Sequence, residues 1–271
     1  MARRTSPIRK GTLVRKLREQ ARARETGRHQ RWQHTRDMPG SGIKTRLACV
    51  KAASGELHLL SEAQHAEFLE GWYRLDVKVI YDQVALGRDK TLKAAASINV
   101  AHPYYRHLGE PAVLSVCLVY ITKRGATLRR EARSVSSSLS GNGGELTRSQ
   151  RIEQKAWEDE GASYSVVRAN GMHACRSRNL AWIFRAHSDT VGRKLSDFEV
   201  GAQREFLRLV RRQAEMRVID ACGTVDRTLR LPLGSGARAF RQLAGAKQLA
   251  FDLDISDPLN VPLANLWRPK H

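Results

Sequence analysis

"AVLSVCLVYITKRGATLRREARSVS", residues 112–136, is the stretch from which the fold is read. Its first part, 112–122, is a short run of Val, Leu, Ile, Tyr and Cys that reads as a buried strand. Lys123-Arg124-Gly125 closes the run, and 126–136 returns beside it. On the N-terminal side, "VKVIYDQVAL" (77–86) reads as a second strand, and 88–108 as a helix or loop. On the C-terminal side, "TRSQRIEQKAWEDEG" (147–161) reads as a helix with Ile152, Ala156 and Trp157 on one side. "ASYSVVRA" (162–169) follows as a strand and "RSRNLAWIFRA" (176–186) as another helix. Strands alternating with helices define an α/β domain.

Further out, "GELHLLSEAQHAEFLEGW" (55–72) carries a helix start. Ser61 followed by Gln64 fits the N-cap box, with the Gln64 amide turning back to the Ser61 backbone N–H, and the helix runs to about Trp72. Before it, Pro39-Gly40-Ser41-Gly42 marks a turn, and alternating apolar residues predict a hairpin leading into the helix. The Ser/Gly-rich "SSSLSGNGGE" (136–145) reads as a flexible loop. Past residue 188 the texture changes. "LSDFEVGAQREFLRLVRRQAEMRVIDACG" (195–223) reads as one long helix, opened by Ser196 and Glu199 and stopped near Gly223. "RLPLGSGARAFRQLAGAKQLAFDLDI" (230–255) reads as strand, turn, short helix, strand, the pattern of a small two-strand wing. The expected organisation is a basic arm (1–36), an α/β domain (37–187) and a small, mostly helical domain (188–271).

The chain has 271 residues, with 47 Lys and Arg against 27 Asp and Glu, a formal charge of +20. Such an excess repels itself, so a polyanionic partner is expected, bound through counterion release. The charge is densest in residues 1–36, with twelve Lys and Arg and two Glu. Leu13 and Leu17 allow a short helix there, but the segment reads mainly as an arm. It is either a phosphate-tracking or a solubilising tail, and the predominance of Arg, which forks onto phosphate, favours the first. Arg3, Arg4, Arg9, Lys10, Arg15, Lys16, Arg18, Arg22, Arg24, Arg28 and Arg31 are the candidate nucleic-acid contacts. Arg208, Arg211 and Arg212 form a second cluster, either a solvated helix face or a contact surface for DNA or protein.

Cys49, Cys117, Cys175 and Cys222 lie far apart without a C-x-x-C pair, which points to reduced thiols in a cytoplasmic protein. No segment approaches the ~18 apolar residues of a membrane span. His102 and His107 are the nearest approach to a metal-ligand pair, yet they lack further ligands, so structural histidines are expected. The Gly-rich 141–144 lacks the Gly-Lys-Ser/Thr ending of a phosphate cradle, and no Gly-x-Ser-x-Gly elbow is present.

The order of "RWQHTRDMPGSG" (31–42), "GELHLLSEAQHAEFL" (55–69), "VIYDQVAL" (79–86), "HPYYRHLG" (102–109), "SVCLVYI" (115–121), "IEQKAW" (152–157) and "RNLAWIF" (178–184) resembles the TnsA endonuclease subunit of Tn-seven-like transposons. The resemblance implies an α/β restriction-endonuclease-like N-terminal domain and a winged-helix-like C-terminal domain. It also implies double-stranded transposon-end DNA, a DDE-type (TnsB-like) transposase and an AAA+ (TnsC-like) regulator ATPase as partners. The family's site needs a Glu on the first helix, an Asp on the central strand and a Lys on the return strand, with Mg²⁺ held by the carboxylates. This chain departs at each position. The helix Glu falls on Gln64, and the strand Asp on Val116, or on Ser115 or Cys117 if the register slips by one. The Lys falls within Ser134–Ser136, so Ser134 and Ser136 mark that corner. Glu153 matches an acidic residue on a later helix, or is merely a solvated position. The resemblance therefore implies a pseudonuclease that needs no cofactor. The alternative is an active Mg²⁺-dependent endonuclease with a relocated site built from Glu67, Glu131 and Glu153.

Overall fold

The computed structural model describes residues 8–37, 42–136 and 145–269, which separate into two compact units, 1–172 and 173–271. Arg3, Arg4, the turn at Pro39-Gly40-Ser41 and residues 137–144 of the Ser/Gly loop lie outside the described residues.

The first unit is mixed α/β. Helix α1 (Lys10–Glu25) is followed by an antiparallel pair, β1 (Thr45–Ala48) and β2 (Glu56–Leu59), the hairpin expected before the next helix. Then come α2 (Glu62–Tyr73), β3 (Val77–Ala85), α3 (Arg88–Ser97) and the two-residue strands β4 (Tyr104–Tyr105) and β5 (Glu110–Pro111). The quoted hairpin is β6 (Ser115–Arg124) and β7 (Thr127–Ser136). Gly125 takes φ +60 at the turn, a conformation open to Gly at little cost. Helix α4 (Arg148–Glu158) and β8 (Ser163–Arg168) complete the unit.

The main sheet runs β3-β6-β7-β8, antiparallel except for the parallel pair β7/β8. A fully buried apolar cluster of Val116, Val119, Ala132, Ile152, Ala156 and Trp157 joins the sheet to α4. On α2, Gly71 faces Tyr120 of β6, where an added Cβ would lie 2.5 Å from the ring. The Tyr120 hydroxyl, donating to the Glu67 carbonyl at 2.8 Å, fixes that close approach.

The expected arm is instead a sixteen-residue helix that belongs to the unit. Leu13 is buried, Gln20 donates to the Gln30 carbonyl at 2.8 Å, and His107 contacts the Ile8 carbonyl at 2.7 Å. The following segment is bound harder still. The fully buried Asp82 accepts from His29 Nε2 (2.9 Å), Arg31 Nε (2.6 Å) and the His58 N–H (2.7 Å). Arg31 also reaches Ser54 and the Glu56 carbonyl, and the Trp32 N–H donates to the Gln83 carbonyl at 2.8 Å.

The second unit is helical: α5 (Ala174–Ser188), α6 (Asp197–Arg212), α7 (Val218–Thr228) and α8 (Ser235–Gly245). Helix α5 packs on α8, and Asn179 donates to the Leu253 and Ile255 carbonyls at 2.9 and 2.8 Å. The division of the chain therefore falls before α5, not near residue 188. The capping box of Ser196 and Glu199 forms as read, but the expected long helix is two. At Gln213 the backbone leaves helical angles (φ −134, ψ 66), and the carbonyls of Ala214 and Met216 are taken by the N–H groups of Ala264 and Leu263. Gly223 lies inside α7. The two-strand wing does not form among the described residues: 230–234 is a turn, and beyond α8 the β pairing is limited to the isolated bridges Ala250↔Trp267 and Arg217↔Pro262. Among the described residues no helix is long and apolar enough to cross a membrane.

Burial alone raises the pKa of Asp82, but the hydrogen bond from His29, the charge of Arg31 and the His58 N–H together hold it below the ordinary carboxylate value. Asp82→Ala removes the buried carboxylate shared by the Arg31 guanidinium, the His29 imidazole and the His58 N–H. It is expected to lower the unfolding free energy by about 3–5 kcal/mol in urea titrations. A loss under about 1 kcal/mol, the range of ordinary surface changes, would refute this anchoring role.

Candidate functional site

Helix α2 begins at Ser61, whose hydroxyl accepts from the Gln64 N–H at 3.2 Å. The Gln64 side chain does not return to the Ser61 N–H as expected. Its Oε1 accepts from the Leu60 N–H at 2.8 Å and from Gln83 Nε2 at 2.9 Å. Its Nε2 donates to Cys117 Sγ at 3.2 Å. Gln83 holds φ +50 within β3, a strained conformation for a residue with a side chain, and also donates to the His58 carbonyl at 3.2 Å.

The strand residue that meets Gln64 is thus Cys117, one of the register alternatives. Val116 lies in the apolar cluster with Val119 and Ala132. The Val135 N–H donates to Cys117 Sγ at 3.3 Å. Burial pushes the Cys117 thiol up to about 11, so at neutral pH it is a neutral thiol rather than a thiolate. Next along β7, Ser134 hydrogen-bonds Tyr164, and the Tyr164 hydroxyl donates to Glu153 Oε2 at 2.9 Å. Burial raises Glu153 to about 7, against the hydrogen bond from Tyr164. Glu153 in turn raises the Cys117 thiol by its charge. Gln64, Cys117, Ser134 and Glu153 therefore converge where α2, β6, β7 and α4 meet. Ser136 lies two residues further along β7, paired with Arg168 of β8.

This set offers an amide, a neutral thiol, hydroxyls and one half-protonated carboxylate. Mg²⁺ requires carboxylate oxygens and near-ideal octahedral geometry, and these residues do not fit it. Among the described residues no group of three His, Cys, Asp or Glu is placed to hold a metal ion.

The acids of the relocated site are not gathered together. Arg74 forks onto Glu131 at 2.7 and 3.1 Å, and Arg133 binds the same carboxylate at 2.9 Å. The hydrogen bonds from Arg74 hold the Glu131 carboxyl below its ordinary value. Glu67 accepts from Tyr120 at 3.1 Å, and burial raises its pKa. Both join one arginine–tyrosine network, whereas Glu153 is engaged by Tyr164.

The basic residues divide similarly. Lys16 donates to the Trp32 carbonyl (2.7 Å) and to Asp37 (2.8 Å), and Arg31 is locked on Asp82, so these two serve the fold. Arg9, Lys10, Arg15, Arg18, Arg22, Arg24 and Arg28 are exposed. Arg15, Arg18 and Arg22 share one face of α1 by their spacing. In the second unit Arg208 forks onto Glu205 at 2.7 Å, while Arg211 and Arg212 are exposed. His102 is held by Thr91 (3.0 Å) and the Pro103 carbonyl (2.8 Å), apart from the His107 contact to Ile8.

Raising a buried acid's pKa removes stability above that pKa and leaves it below the unfolded value. Between about 4.5 and 7 the folded state binds the extra proton, so stability falls as pH rises. Glu153→Gln is therefore expected to stabilise by roughly 2–3 kcal/mol at pH 8 and to be near neutral at pH 4, read from urea midpoints. Equal effects at both pH values would exclude this account.

Residues 174–253, within the second unit, match the family model of the TnsA endonuclease C terminal. No curated protein matches the sequence. Over these residues the chain is similar to that family.

Proposed function

We propose that this TnsA-like chain is a non-catalytic subunit of a Tn-seven-like transposition complex. It binds double-stranded transposon-end DNA and bridges a DDE-type (TnsB-like) transposase and an AAA+ (TnsC-like) ATPase. In this reading the first unit is a degenerate restriction-endonuclease-like domain, and the second carries protein or DNA contacts through Arg211 and Arg212. The observation that carries the proposal is the meeting of Gln64 and Cys117 where a nuclease needs two carboxylates. Removing one charge-stabilising group commonly costs about 10²–10³ in rate, so a site lacking both carboxylates and the lysine has no useful cutting activity.

Binding is assigned to the exposed arginine face of α1, which tracks phosphates without reading bases. With its second strands uncut, the transposon passes through joined replicative intermediates unless another nuclease supplies the cut. Incubating the chain with its transposase, end-containing duplex and Mg²⁺ or Mn²⁺ tests the proposal. The expected result is a shifted complex and no nicking attributable to this chain. Specific nicking that disappears in Glu67→Ala or Glu131→Ala would establish the active alternative instead.

A further inference from the structure

A cleft of about 300 Å³ opens in the first unit between α1, the end of β3 and α4, away from the Gln64–Cys117 contact. Arg24, Arg28, Lys90, Arg130, Trp157 and Glu160 are among the residues that line it. Its charge is unbalanced. Lys90 (2.5 Å) and Arg130 (3.2 Å) share the single carboxylate of Glu160, and Arg24 and Arg28 have no carboxylate partner among the described residues. Four cations therefore line the cleft against one lining carboxylate, with the Asp89 carboxylate approaching its edge at Gly87.

Trp157 adds an independent observation. The residue is 4% exposed, and its indole N–H is buried without any hydrogen-bond acceptor. Buried donors are nearly always satisfied, and this unsatisfied one belongs to a residue that lines the cleft. Guanidinium forks match phosphate oxygens bidentately, and an indole N–H adds a neutral donor. Ligand pockets run from roughly 300 to 1,000 Å³, so this one sits at the lower limit and suits a single phosphate group rather than a whole nucleotide.

We propose that this cleft is a phosphate-binding site, with Arg24 and Arg28 gripping the anion and Trp157 donating to it. The pocket stands on its own geometry. Its use for a DNA backbone phosphate rests on the DNA-binding reading above, and the exposed row Arg15, Arg18 and Arg22 on the same helix gives a strand a path towards it.

The full chain, labelled with ¹⁵N-tryptophan, gives five indole signals. That of Trp157 is assigned with Trp157→Phe or, if that variant fails to fold, by elimination with the other four Trp→Phe variants. Inorganic phosphate and a short duplex are titrated separately. The Trp157 indole proton is expected to move downfield with both, and neither movement should survive in the double variant Arg24→Ala, Arg28→Ala. That variant should bind duplex at least roughly tenfold more weakly, from the net strength of hydrogen bonds to charged groups. Its salt dependence should be shallower by roughly two, one for each guanidinium. A response to duplex alone assigns the site to the nucleic-acid backbone. A response to phosphate alone keeps the site and removes the DNA reading. No response to either, or a response that persists in the double variant, overturns the proposal.

Discussion

Asp82 is a carboxylate with no exposure, set in β3, and the first unit depends on how it is neutralised. A buried ionised carboxylate is tolerated only when it is paired and hydrogen-bonded, and here three donors from two other parts of the chain converge on it. His29 and Arg31 bring in the segment after α1, and the His58 N–H brings in β2. One side chain thereby fastens the N-terminal segment and the β1/β2 pair to the main sheet. Arg31 extends the anchorage to Ser54 and Glu56, so the β1–β2 connection is tied down as well.

The next residue turns that anchorage into site architecture. Gln83 sits at φ +50 between Asp82 and Val84, both paired in register with β6. Its carbonyl takes the Trp32 N–H while its side chain reaches the His58 carbonyl and Gln64. Strain of this kind persists only where surrounding contacts over-determine it, and here they do. The Gln64 amide binds Leu60, Gln83 and Cys117, so the start of α2 is cross-linked to β3 and β6 by neutral hydrogen bonds. Metal-bridged carboxylates would hold those elements only when loaded. An amide and a thiol hold them with no metal needed.

Sequence reading found the parts whose cause is local. The hairpin 115–136, the capped starts at Ser61 and Ser196, and the α4 face of Ile152, Ala156 and Trp157 all follow from periodicity and caps. It failed where the cause is distant. The break between α6 and α7 has no Gly or Pro at 213–217; the carbonyls it frees are taken by residues 263–264, about fifty positions later. Asp82 looked like one polar residue in a strand, since its partners are 24 to 53 residues away. Gln64, Ser134 and Glu153, which the structure brings together with Cys117, were legible only through the family resemblance. Which strand residue faces Gln64 was not, because it depends on the local geometry beside Gln83.

The fate of the arm also changes what the excess charge means. A disordered basic tail must lose chain entropy when it settles on a polyanion, and that loss subtracts from affinity. In α1 the backbone is already ordered by Leu13, Gln20 and Lys16, whose side chains face or grip the unit. Arg15, Arg18 and Arg22 are thus presented from a fixed helix, with only side-chain freedom left to lose. Cations that stabilise the fold (Arg31, Arg74, Arg133) are each matched to a carboxylate, whereas those on α1 and around the Trp157 cleft outnumber theirs. A surplus concentrated on a rigid element, beside a buried donor lacking its acceptor, is organised for a bound anion, whereas a charge kept only for solubility has no need of such order.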